Sequence, residues 1–72
     1  MNNQIKKTVK LKGHITSIAL EKEFWNELNK IALKNSKSMD RLLEEIDSLD
    51  RLGSLASAVR VFILKKLKSE SI

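Results

Sequence analysis

The chain has 72 residues, enough for one small domain. It has no cysteine and one histidine, which excludes disulfides, thiolate metal sites and a histidine-built structural zinc site. A domain of this size buries only about 60% of the surface its unfolded chain exposes, so self-association is the expected support. The formal charge of +5 is unevenly placed: +4 over residues 1–14, −2 over 21–52 and +3 over 60–72. Basic ends of this kind suit a polyanion, nucleic acid or an anionic membrane.

The opening MNNQIKKTVKLK is basic with no apolar core behind it, unlike an export signal. Residues 1–7 are expected to be a flexible basic lead. From Thr8 the runs TVKLK and ITSIAL both alternate, flanking Gly13 and His14. A strand is expected over 14–20, with Thr16, Ile18 and Leu20 on one face and Ile15, Ser17 and Ala19 on the other. Its backbone needs a partner. Two are open: the same strand of a second chain about a two-fold axis, or TVKLK folded back through a Gly13-His14 turn. The hairpin would put Val9 and Leu11 on the face of Ile18 and Leu20, and the two pairings can coexist in one sheet.

A first helix is expected over 21–34, with Phe24, Leu28, Ile31 and Ala32 in one apolar stripe and Trp25 at its edge. Its start is poorly capped, since Glu21 stands where Ser, Thr or Asp would serve better. NSKS then reads as a turn. Ser38 caps a second helix over 38–51, with Met39, Leu42, Leu43, Ile46 and Leu49 at helical spacing. Gly53 is the stop signal. Ser54 caps a third helix over 55–68, with the stripe Leu55, Ala58, Val59, Phe62, Ile63 and Leu67. Val61 and Leu64 add apolar surface off that stripe and ask for a second neighbour. Residues 69–72 read as a tail, and residues 8–68 as the single domain. VFIL is the longest uncharged apolar run near the C-terminal end, far short of a membrane span, and a cytoplasmic protein is expected.

The pieces GHITSIALE, FWNEL, EEID and SLASAVRVFIL, in that order, resemble a subgroup of small ribbon-helix-helix proteins, a family of bacterial DNA-binding proteins. The resemblance covers roughly residues 9–64. It implies a mainly α fold with a short β ribbon, intertwined as a homodimer, with a third C-terminal helix and room for an N-terminal edge strand. The dimer core it implies includes Ile18, Leu20, Phe24, Leu28, Leu42, Ile46 and Phe62. It also implies transcriptional regulation through double-stranded DNA, with the ribbon in the major groove. Base edges would then be met by Ile15, Ser17 and Ala19. Phosphates would be met at the second helix N-terminus, by Lys37, Ser38 and Met39. Lys7, Lys10 and Lys12 add phosphate contacts.

Of the three base-facing positions only Ser17 carries a donor or acceptor, and base reading needs such groups. Asp40 in the first turn of the second helix repels phosphate. An apolar ribbon face therefore also suits a protein partner, so a dimeric interaction module is the alternative, and a basic helix on a membrane surface the more distant one. For Trp25 and Met39 packing outweighs ligand contact, and for Arg60 a salt bridge to Glu44, Glu45 or Asp47 competes with phosphate. No acid pair, nucleophile–base pair or metal-ligand spacing stands out. Neither an enzyme nor a cofactor is expected.

Overall fold

A computed structural model describes residues 3–49 and 53–70, with the side chain of Glu70 left aside. Strand β1 (Gln4–Leu11) and strand β2 (His14–Glu21) form an antiparallel hairpin, followed by helices α1 (Lys22–Lys34), α2 (Met39–Ser48) and α3 (Leu55–Glu70). The three helices pack beneath one face of the hairpin. The core joins Val9, Leu11, Ile18 and Leu20 of the ribbon to Trp25 and Leu28 of α1, Leu43 and Ile46 of α2, and Val59 and Ile63 of α3.

The hairpin turn is Lys12-Gly13, not Gly13-His14, and Leu11 stands opposite His14. Both turn residues have positive φ, 51° at Lys12 and 85° at Gly13, which is the type I′ turn whose twist matches a hairpin. Glycine takes this conformation freely. Lys12 takes it against a steric cost, held by its N–H donating to the Glu44 carboxylate at 2.8 Å. Moving the turn by one residue shifts each cross-strand pair by two. Side chains therefore keep their faces, and Val9 and Leu11 still bury beside Ile18 and Leu20. Thr16 shares that face but is exposed, near the turn end where α2 lies against β1.

β1 begins at Gln4, four residues earlier than the expected Thr8, so residues 4–7 belong to the sheet. Trp25 is the reason. Its indole Nε1–H donates to the Ile5 carbonyl at 2.8 Å, and the Lys7 ammonium stands 5.0 Å from its ring centroid. A buried indole needs a partner for its N–H, and the extended β1 supplies one. Trp25 is thus the buried member of α1 at 3% exposure, while Phe24 is only half-buried. The sequence pattern assigns those two places the other way round.

Helix α1 has no side-chain cap at Glu21, as expected. It ends with Ser36 in the left-handed region, the Lys37 N–H donating to the Ala32 carbonyl and the Ser36 N–H to the Leu33 carbonyl. This is a Schellman stop with serine in glycine's usual place. Ser38 caps α2 by accepting from the Arg41 N–H at 3.1 Å. Helix α2 stops at Ser48, well before Gly53, with Leu49 extended at ψ 154°. The Ser48 hydroxyl donates back to the Glu45 carbonyl, and the last turn holds Asp47 and no base, an unfavourable charge at a helix C-terminus. The remainder of the expected second helix, residues 50–51, lies outside the described residues. Ser54 caps α3 through the Ser57 N–H, and α3 continues to Glu70, so residues 69–70 are helix. Leu67, expected in the buried stripe, is 45% exposed beyond the end of the core.

Arg60 ties α3 to the ribbon. Its guanidinium donates to the Glu21 carboxylate, Nε to Oε1 at 3.0 Å and Nη2 to Oε2 at 3.2 Å. The acids of α2 expected as its partners are not used. Gln4 donates to the same carboxylate at 3.1 Å, so Glu21 joins β1, β2 and α3. These contacts hold its carboxyl below the ordinary carboxylate range. The Gln4 hydrogen bond is the largest cause, followed by its own backbone N–H and by Arg60.

Two outcomes follow. Trp25→Phe removes the hydrogen bond to Ile5 while keeping most of the ring, and is expected to lower stability by about 1–2 kcal/mol in urea denaturation, with β1 amides near Ile5 losing hydrogen-exchange protection first. A carboxyl held low in the fold stabilises it above about pH 4.3, where unfolded glutamates titrate, and that contribution is lost as pH falls through the lowered value. Gln4→Ala is therefore expected to raise the Glu21 pKa in an NMR titration and to flatten the acid limb of stability against pH.

A candidate nucleic-acid interface

The hairpin face turned away from the helices is the candidate surface. On β2 it carries Ile15, Ser17 and Ala19, the three residues expected to meet bases. Ile15 is 75% exposed, Ser17 is exposed and Ala19 half-buried. Directly opposite them on β1 stand Lys10, Thr8 and Lys6, all exposed. The N-terminal strand thus widens this face sideways and does not cover it. Thr8 and Ser17 set two hydroxyl-bearing side chains side by side. Lys6 and Thr8 are not among the residues that the sequence pattern marks for this surface. The signal was available in the alternation of QIKKTVKL, but only a fixed register shows that these side chains flank Ser17.

The expected phosphate-binding residues fall into separate places. Lys10 stands on the outer face, and Lys12 in the turn beside it. Lys7 alternates to the opposite face and lies over the Trp25 ring. At the start of α2, Lys37 is ion-paired with Glu45, whose carboxyl this lysine's hydrogen bond, the largest cause, pulls below its ordinary value. The Ser38 hydroxyl is occupied as the helix cap, and Met39 packs against the core. The first turn of α2 lies against the turn end of β1, because the Asp40 carboxylate accepts from the Lys10 N–H at 3.4 Å. Asp40 and Glu44, which look misplaced for anion binding, thus hold the backbone of β1.

Those two acids give the hairpin unlike edges. A two-residue turn makes Leu11 and His14 a hydrogen-bonded pair, so alternate residues outward from them point their N–H and C=O groups out of the hairpin. Beside the turn, the N–H groups of Lys10 and Lys12 are taken by Asp40 and Glu44; further along β1 no described residue hydrogen-bonds to the outward groups of Lys6 and Thr8. On β2 the outward groups belong to Ile15, Ser17 and Ala19, and no described residue hydrogen-bonds to them. An unpaired edge is a template for another strand.

Of the residues expected in a dimer core, Ile18, Leu20, Leu28, Leu42 and Ile46 are buried within the single chain. Phe24 and Phe62 are only half-buried. Among the described residues no group of His, Asp or Glu side chains is placed to hold a metal ion. No helix there is long and apolar enough to cross a membrane.

Comparison with curated proteins and with solved structures finds no match. A family model described as the ribbon-helix-helix domain matches residues 4–67, taking in both strands and nearly all of the three helices. The order of ribbon and helices and the match over most of the chain agree, and this protein belongs to the ribbon-helix-helix domain family.

Proposed function

We propose that this chain is a dimeric regulator of transcription that binds double-stranded DNA through the outer face of its hairpin. The observation that carries the reading is the edge of β2, unpaired along its length, where the edge of β1 is blocked at the turn end by Asp40 and Glu44. A second copy adding antiparallel about a two-fold axis satisfies the outward groups of Ile15, Ser17 and Ala19 in both chains. The central strands of the joined sheet then carry those side chains on one exposed face. A β ribbon of this kind enters the major groove of B-DNA. Membership of the family supports the same reading. Ser17 is the residue we assign to a base edge, with Ile15 and Ala19 close enough to pack on thymine methyl groups. Lys10 and Lys12 at the turn end supply phosphate contacts, and the start of α2 adds backbone N–H groups near Ser38 and Met39.

A second reading draws on the exposure of Ile15, a large apolar side chain at the turn end of the face. A dimeric module that binds a protein partner through this face would use it directly.

Selection from a random duplex pool separates the two. The DNA reading expects enriched sequences, a preference altered by Ser17→Ala, and binding abolished by Ile15→Asp, which sets a negative charge at the groove floor. Recovery of no preferred sequence at physiological salt would favour the protein-binding module. The dimer has its own test in sedimentation equilibrium. The native chain is expected as a pair at micromolar concentration. Ser17→Pro, which removes an N–H used only outside the hairpin, is expected to give a helical monomer by circular dichroism. A native chain that sediments as a monomer contradicts the edge pairing.

A further inference from the structure

We infer that the outer face of β1 is a nucleic-acid contact row in its own right: Lys6, Thr8 and Lys10 grip the sugar–phosphate walls of the groove while Ser17 faces its floor. The inference rests on the DNA-binding reading above and deepens it. It starts from the register, which sets Lys6 opposite Ala19, Thr8 opposite Ser17 and Lys10 opposite Ile15. Side chains on alternate residues of a strand follow one another at about 6.8 Å on one face. Lys6, Thr8 and Lys10 therefore make a straight row of donors parallel to the β2 stripe.

The charge of this row is not spent within the described fold. Neither Lys6 nor Lys10 is ion-paired with a described residue, whereas Lys30 and Lys37 are bridged to acids and Lys7 lies on the other face over Trp25. Asp40 lies near the row, but at the strand edge, its oxygen turned to the Lys10 N–H.

Dimensions decide what the row touches. Neighbouring strands stand about 4.8 Å apart, so a sheet ordered β1-β2-β2-β1 across two chains sets its outer strands about 14 Å apart. The major groove is about 12 Å wide. The central strands fit over the base edges, and the outer strands fall over the two phosphate rows. Lysine and threonine, which bind phosphate without reading sequence, are the residues found there. The strand with a single polar base-facing side chain, Ser17, is thereby paired with one that supplies affinity.

The test measures binding to a duplex selected by the native chain as a function of salt. Each phosphate contact contributes a slope of about −0.9 in log K against log salt. Lys6→Ala/Lys10→Ala is expected to make the slope shallower by about 4 units for a dimer, with the preferred sequence unchanged. Lys65→Ala/Lys66→Ala removes the same charge from α3 and is expected to change the slope by less than about 1. Thr8→Val is expected to weaken all sequences alike. Equal slopes for the two double variants would overturn the inference, as would a changed sequence preference in Thr8→Val. A native chain that shows no salt-dependent duplex binding instead removes the DNA-binding reading itself.

Discussion

The structure depends on the pairing of β2 with β1. A strand alone in a chain of this size has no way to satisfy its backbone, and here the preceding segment satisfies one side of it. The pairing is held at three points. Lys12 and Gly13 set the register at the turn, Asp40 and Glu44 of α2 hold the backbone near it, and Trp25 of α1 takes the Ile5 carbonyl at the far end. Val9 and Leu11 anchor the turn end of β1 in the core, but without those holds the lysine-rich residues before them would have little reason to remain extended, since their exposed side chains bury little surface. With them, a sequence that reads as a loose basic arm becomes half of a sheet.

The same holds explain the placement of charge. Helix α2 puts acids in its first turns, which suits its dipole and answers the N–H groups of β1. Glu21, at the other end of β2, gathers Gln4 and Arg60. Acids therefore sit at the borders of the hairpin, while its outer face holds lysines, hydroxyls and apolar groups. The net basic charge of the chain and the acidic character of its middle belong to one arrangement: negative groups are spent internally as hydrogen-bond acceptors, and positive ones are left outward. Among the groups with a clear pKa displacement, Glu21 and Glu45 are both lowered by partners from other parts of the chain.

Much of this was legible in the residues. Alternation assigned Ile15, Ser17 and Ala19 to one face and Ile18 and Leu20 to the other, and helical spacing placed the three helices within a few residues. What escaped had particular causes. Gly13 serves equally as the first residue of one hairpin turn or the second of another, so the turn was set one place late, without changing which side chains share a face. The two neighbours Phe24 and Trp25 are equally apolar on a helical wheel, and only the indole N–H, which needs an acceptor, decides which goes inward. QIKK shows too few apolar residues to read as a strand, which hides Lys6, and Thr8 falls beside Ser17 only once the register is fixed. Arg60 found Glu21, thirty-nine positions away, in preference to acids much nearer in sequence, a choice set by tertiary packing alone.

The unlike borders of the hairpin bear on how far such chains can associate. Long stacks of strands grow because each newcomer presents a fresh border to the next. Here one border is blocked at its turn end by carboxylates from the chain's own helix. In the proposed dimer, a second chain joined at the other border would bring its own partly blocked side to the outside. Further strand addition would then meet helix α2 at the turn end of that outer border, which works against growth into a fibre.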